Sequence, residues 1–337
     1  VQVTIVGAGV AGLCCALELS ERGVEVQLLE RAATLGGDSC SWCAGGMLAP
    51  WCELEAGAEP LIGELGQSSL QWWREHLPAL RCAGTLVVAA RRDTSELDRF
   101  ASRTQRHRWL SGRELGLLEP ELGGRFERGL YFPEEAHLDP RQAMAHLAAC
   151  LQRRGAQLRL GNAVAAGSAR GDYVLDCRGL AARDQLSGLR GVRGEMLLVQ
   201  SRELQLQRPV RLLHPRIPVY VVPRGEGIYM IGATSIESDD ASAVSVRSAL
   251  ELLSAAYTLH PAFGEARILE CAAQVRPAFA DHRPRIRRAG HLFYVNGLYR
   301  HGFLLAPALA RALAAHLLEG ASYPEIIDED RPQRRLA

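Results

Sequence analysis

No run of about 18 uninterrupted apolar residues occurs in the 337-residue chain, so no membrane-spanning helix is predicted. Neither sign of charge dominates. With 39 basic and 38 acidic residues the formal net charge is +1, which offers nothing particular to nucleic acid or to an anionic membrane. Cysteine is present, but not as a framework. Nine cysteines, an odd number spread along the chain, do not make a disulfide scaffold, and a reducing, cytoplasmic compartment is the simpler expectation. Cys40-x-x-Cys43 has no second C-x-x-C and no spaced histidine pair to complete four ligands, so no metal site is expected. The apolar N-terminus lacks a cationic leader and an A-x-A cleavage site, which argues against a signal peptide. Internal repeats, low-complexity tracts and an obvious His/Asp/Glu catalytic cluster are missing as well. What is present, 47% hydrophobic and 23% charged residues, is the composition of a globular protein of one large or two modest domains.

The first thirty residues carry the strongest pattern. Val1 to Val6 is a short β-rich apolar run, a helical pattern ends near Arg22 and Gly23, and Val24 to Leu29 is a second apolar strand closed by Glu30. This is a βαβ unit with parallel strands buried on both faces. Between the first strand and the helix lies Gly7-Ala8-Gly9-Val10-Ala11-Gly12. A G-x-G-x-x-G alone is weak, but its place between strand and helix, with Glu30 ending the next strand, makes it a dinucleotide fingerprint. Gly7 permits the tight turn, Gly9 lets a pyrophosphate approach the backbone, and Gly12 lets helix and strand pack closely. The phosphates face the unpaired N–H groups of a helix N-terminus. Glu30 is expected to accept hydrogen bonds from the adenosine ribose hydroxyls.

Further along, Asp139-Pro140 opens a helix over RQAMAHLAACLQRRG, and AQLRLGNAV and YVLDCRG read as strands. From Val192 to Thr234 the chain is strand-rich, a helix is predicted from Val244 to Leu259, and LFYVNGLYRHGFLLAPALARALAAHLLEG reads as strand, turn and long helix. The tail DEDRPQRRLA is expected to fray. Elements of α/β type thus open, recur and close the chain, with β-rich segments interrupting them twice. That predicts a discontinuous nucleotide-binding domain, 1–81, 135–191 and 278–337, and a second domain inserted as 82–134 and 192–277.

TLGGDSCSWCAGGMLAPWCELE is a long irregular loop without charge between Ser39 and Trp51, where a simple NAD dehydrogenase would continue its βα repeats. The segments ERAATLGGDSCSWCAGGMLAP, VYVVPRGEGIYMIGATSIES, VRPAFADHRP and YVNGLYRHGFLLAPALA, in that order, resemble the FAD-dependent D-amino-acid-oxidase superfamily, and within it the glycine oxidases of thiamine biosynthesis. The resemblance implies an α/β fold in which a Rossmann-type FAD-binding domain carries an inserted mixed-sheet substrate domain. It implies non-covalent FAD held also by Val10, Ala11, Arg31, Ser41, Gly45, Gly46, Met47, Val164 and the segment Leu298, Tyr299, Arg300, His301, Gly302, Phe303 and Leu304. In such enzymes the loop through Gly45-Gly46-Met47 lies against the flavin, so small residues are expected there and Cys40, Cys43 and Cys52 are read as packing residues.

The resemblance further assigns Arg276, in AAQVRPAF, to the substrate carboxylate, with Arg300 lining the same cavity and a hydroxyl from Tyr220 nearby. A guanidinium fork suits a carboxylate bidentately, which an ammonium cannot match. Gly302, at a helix start, is expected to face the flavin pyrimidine carbonyls. His301 takes second place as a base, since a histidine before a glycine turn is more often a polar surface or cap residue. Three stretches depart from the family: Cys271-Ala272-Ala273-Gln274 before Arg276, Ala280-Asp281-His282-Arg283 after it, and the short interval from Val164 to Tyr173. The expected activity is oxidation of a small amine or amino acid, with hydride passing to flavin, the imine hydrolysing, and dioxygen reduced to hydrogen peroxide. A dehydrogenase with another electron acceptor, or a flavin-holding sensor, is the alternative. Assembly into a homo-oligomer is compatible with the sequence.

Overall fold

The computed structural model describes residues 1–56, 60–214 and 218–329. The tail from residue 330, expected to fray, lies outside the described residues. The chain forms two compact units, one made of Val1–Trp42, Arg141–Val192 and the segment from Val275 on, the other of Cys43–Pro140 and Arg193–Gln274. Residues 43–81, which the sequence reading assigned to the nucleotide-binding domain, thus group with the second unit.

In the first unit a seven-stranded sheet runs in the order Ile327–Glu329, Arg285–Ala289, Leu292–Asn296, Tyr173–Asp176, Gln2–Val6, Glu25–Leu29, Gln157–Arg159. From Leu292–Asn296 to Gln157–Arg159 every neighbour is parallel, with Val3 beside Val26 and Ile5 beside Leu175. Parallel strands are covered on both faces, and Val3, Ile5, Leu28, Val174 and Leu175 are buried accordingly. The helix Val10–Glu21 is buried from Val10 to Leu19 and packs against the helix Gly302–Glu319. Its sequence, VAGLCCALELSE, reflects that position: small and apolar residues all round, with burial pushing the Cys14 thiol well above its ordinary range. Gly302–Glu319 is long and apolar enough to cross a membrane by length and composition, although Arg311 interrupts its apolar run, and 67% of it is buried inside the protein. Its apolarity is that of a core helix.

The second unit is built on a nine-stranded sheet. The order is Ile236–Glu237, Arg190–Gln200, Ile228–Gly232, Val219–Gly225, Val210–Leu213, Thr85–Ala89, Arg128–Phe132, Arg108–Ser111, with Arg267–Ala278 also paired to Arg190–Gln200. The pairing is antiparallel through Arg190–Gln200, Ile228–Gly232, Val219–Gly225 and Val210–Leu213, and parallel where Val210–Leu213 meets Thr85–Ala89. Side-chain alternation divides the unit's core in two. Leu86, Val88, Val219 and Val221 point to the face covered by the helix Val246–Leu259, while Val87 and Ala89 pack with Leu97, Phe100 and Phe132. A two-stranded ladder, Met47–Leu48 against Ala136–His137, holds the glycine-containing loop.

Candidate active site

The dinucleotide turn of the first unit is fixed by contacts that exclude any side chain. At Gly7 the backbone is left-handed, φ +105°, and a Cβ would stand 2.6 Å from the Cys177 carbonyl oxygen; at Gly12 it would stand 1.9 Å from the Gly7 carbonyl oxygen. The former brings the turn against the end of Tyr173–Asp176, and the latter brings helix against turn. Glu30 ties the second strand in: its Oε2 accepts from the Ala8 N–H at 2.7 Å and its Oε1 from the Ala32 N–H at 2.9 Å. A carboxylate has about four acceptor positions, so Glu30 retains capacity for ribose hydroxyls. The Ser41 hydroxyl accepts from the Val10 N–H at 3.1 Å, capping the first turn of the helix from the cysteine loop. Gly302, at the start of the last long helix, lies so close to Val10 that a Cβ would meet Val10 Cγ1 at 3.4 Å. Two helix N-termini thus converge beside the glycine turn, a donor-rich, positively polarised corner that fits the pyrophosphate and polar ring edge of FAD. Arg31 is exposed and ion-paired with Asp38 at 3.6 Å, and Val164 is half-buried.

The segment from Leu298 to Leu304 is drawn toward Arg276 by the backbone. The Tyr299 N–H donates to the Pro277 carbonyl at 3.0 Å. Leu298, His301, Phe303 and Leu304 are buried, and Arg300 is exposed with its guanidinium 6.0 Å from the Tyr299 ring centre. Arg300 therefore does not occupy an enclosed position within the first unit. Tyr299 has a left-handed backbone, φ +49°, and stacks on His282, itself at φ +57°, with ring centres 4.7 Å apart. His282 belongs to the stretch that departs from the family pattern, and its ring is held by Arg190 at 2.6 Å. Arg276 is half-buried near the end of Arg267–Ala278. Burial raises the Cys40 thiol, and the Arg276 charge opposes that rise, which puts the guanidinium within electrostatic reach of the cysteine loop.

In the second unit Tyr220 is the centre. A Cβ on Gly45 or on Gly232 would each come 2.8 Å from its Cε2, so the ring is received between two glycines. Gly46 is left-handed, φ +71°, and a Cβ there would meet the Leu138 carbonyl oxygen at 2.2 Å. Gly45 and Gly46 are thus required by Tyr220 and by neighbouring backbone in the protein itself, besides the close approach of flavin that the sequence suggests. Arg224 fixes the same loop, donating to the carbonyls of Leu138 at 2.7 Å, Ala44 at 3.0 Å and Gly45 at 2.9 Å. Sequence reasoning missed Arg224. Its place four residues after Tyr220 on one strand gave little signal, because the register shifts between Pro223 and Gly225 and breaks simple alternation there. Met47, Met196, Val222 and Met230 complete the apolar surround of Tyr220.

Near that loop lies a buried polar group of its own. Glu135 Oε1 accepts from the backbone N–H groups of Trp51 at 3.2 Å and Cys52 at 2.8 Å, and Arg211 pairs with Glu53. Burial pushes the Glu135 carboxyl up to about 7 and, together with the charges of Arg224, Arg81 and Arg208, pushes His137 down to about 4. None of the nine cysteines forms a disulfide. Among the described residues no group of three or more His, Cys, Asp and Glu side chains is placed to hold a metal ion.

The sequence pattern of a family described as FAD dependent oxidoreductase (DAO) matches residues 2–316. The chain is 53% identical to a protein of Rhizobium etli named as the thiamine biosynthesis oxidoreductase ThiO, over 96% of this chain and 98% of that one. It is 28% identical to a glycine oxidase of Pseudomonas aeruginosa, over 93% of each. Its fold matches the crystal structure of a glycine oxidase from Bacillus cereus with a TM-score of 0.80 at 24% identity, covering 96% of both chains.

Proposed function

Since the chain belongs to the DAO family of FAD-dependent oxidoreductases, we propose that it oxidises glycine or a similarly small amino acid, with dioxygen as final acceptor. Bound FAD supplies the two-electron oxidation. Gly7, Gly9, Gly12, Ser41, Glu30 and the N-terminus of Gly302–Glu319 hold it, through backbone donors and one carboxylate. In this reading Arg276 takes the substrate carboxylate in a bidentate pair, and the Tyr220 hydroxyl donates a further hydrogen bond. With the carboxylate fixed, the α-carbon is oriented and the neutral amine needs no protein base; position and electrostatics carry the step. The imine product then hydrolyses to an oxoacid and ammonia. Arg300, exposed at its turn, serves at the rim. The observation that carries the reading is the FAD-type corner of the first unit, built by Gly7, Gly12 and Glu30, in a chain 53% identical to ThiO of R. etli.

Anaerobic mixing with glycine, sarcosine and a set of D-amino acids tests it. Glycine or sarcosine should bleach the flavin absorbance, and admission of air should restore it with stoichiometric hydrogen peroxide. Bleaching without rapid recovery in air would point to a different acceptor. A spectrum that no amine alters would remove the proposal.

A further inference from the structure

Three of the four methionines in the chain, Met47, Met196 and Met230, gather with Cys43 around Tyr220. Their contact is close. Met230 Cε and the Tyr220 ring both lie 2.8 Å from where a Cβ on Gly232 would be. Met196 and Met230 are buried, whereas Met47 is partly exposed, and its backbone pairs with His137 in the short ladder. Thioethers are soft and adaptable in such a cluster, but they are also the side chains that peroxide oxidises to sulfoxide. The fourth, Met144, is fully buried in the first unit, outside this cluster.

We propose that Met47 is a methionine sulfoxide site through which hydrogen peroxide reversibly reduces the activity of this protein. The inference rests on the oxidase reading for the source of peroxide, not for the chemistry of the thioether. The Met47 sulfur attacks one peroxide oxygen, an S–O bond forms and the O–O bond breaks. Sulfur loses two electrons, and the departing oxygen takes up the proton of the transferred one to leave as water. The new sulfoxide oxygen is a strong acceptor in a cluster whose Met196, Val222 and Met230 side chains offer it no donor, and it competes for the Tyr220 hydroxyl with the substrate carboxylate. Either outcome, withdrawal of Met47 from the cluster or capture of the Tyr220 hydroxyl, disturbs the packing around Tyr220. Reduction by a methionine sulfoxide reductase restores the thioether.

The test uses the FAD-loaded protein in two arms, one treated with hydrogen peroxide at rest, the other turning over glycine in air with and without catalase. Arginine-specific proteolysis and mass spectrometry follow oxygen addition at each methionine. Met47 should gain oxygen first and Met144 last, and kcat/KM should fall in proportion to Met47 oxidation, by roughly tenfold or more when it is complete. Sulfoxide reductase should restore the rate. Met47→Leu, measured against its own starting rate, should lose activity more slowly; the reductase reversal stands without that variant. Inactivation with Met47 still reduced, or tracking Cys43, overturns the proposal, as does full Met47 oxidation without loss of rate. Met47 oxidation at rest but not during turnover would keep this site and contradict dioxygen as acceptor.

Discussion

At the scale of single residues, Arg276 carries the sharpest consequence of the proposed chemistry. Losing one partner of a desolvated charge pair costs about 2–5 kcal/mol, roughly 30- to 5,000-fold in kcat/KM. Arg276→Ala should keep its FAD spectrum and turn over amino acids slower by that factor, and Arg276→Lys should recover only part of the loss. Wild-type kcat/KM in Arg276→Ala would place the carboxylate clamp elsewhere. Gly45 has a different kind of importance. A methyl group there would press on the Tyr220 ring at 2.8 Å. Gly45→Ala should therefore cost about 1–3 kcal/mol in urea unfolding and raise KM, since the ring must move to admit the methyl. An unchanged unfolding midpoint and KM would show that the ring has room. The sequence revealed that these glycines mattered but not which atoms demanded it, because Tyr220 lies far from them along the chain.

At the scale of elements, the turn leading into Ala136–His137 joins two buried groups with opposite pH behaviour. Glu135 is held at about 7 by burial, above its ordinary 4.5, so between those values the folded state keeps a proton that the unfolded chain has released. Its contribution to stability is full below 4.5 and is lost as pH rises through about 7. At about 1.36 kcal/mol per pH unit the loss is roughly 3 kcal/mol. His137, lowered from 6.5 to about 4, contributes in the other direction, losing stability as pH falls through that window. The two oppose each other where they overlap. Cys52, Thr85 and Arg211 face Glu135, and Arg211 offsets part of its charge once ionised. Glu135→Gln should therefore gain on the wild type steadily from pH 4.5 to about 7 in thermal melts, and then hold its lead. Parallel melting curves across that range would refute a proton on buried Glu135. None of this was legible in the sequence, where Glu134-Glu135 looks like an ordinary polar turn and burial is set by strands from elsewhere.

For the whole molecule, FAD affinity is also folding stability: on the proposed reading the glycine turn, Glu30 and two converging helix ends hold the cofactor, and only the folded first unit presents them together. A ligand at 100 times its Kd stabilises the folded state by about 2.7 kcal/mol. Protein stripped of FAD should melt lower, and added FAD should raise Tm in proportion to the logarithm of its concentration. Acid precipitation should release the yellow colour into solution. Colour retained in the pellet would mean a covalent link, and a Tm indifferent to FAD would mean the turn does not hold it.

The sequence by itself determined the parallel βαβ opening, the dinucleotide turn with Glu30, and the family, because these depend on residues close in sequence whose spacing mirrors one local geometry. The same holds for Tyr220, whose alternation with Val219 and Val221 set its face before any neighbour was known. Only the tertiary structure decided that residues 43–81 group with the second unit and that Gly45 and Gly232 receive the Tyr220 ring. It also decided that Arg224 holds the loop by three carbonyls and that Glu135 is buried. Each of those depends on which distant segments meet. Burial, desolvation and steric exclusion are properties of the meeting and are carried by neither segment alone.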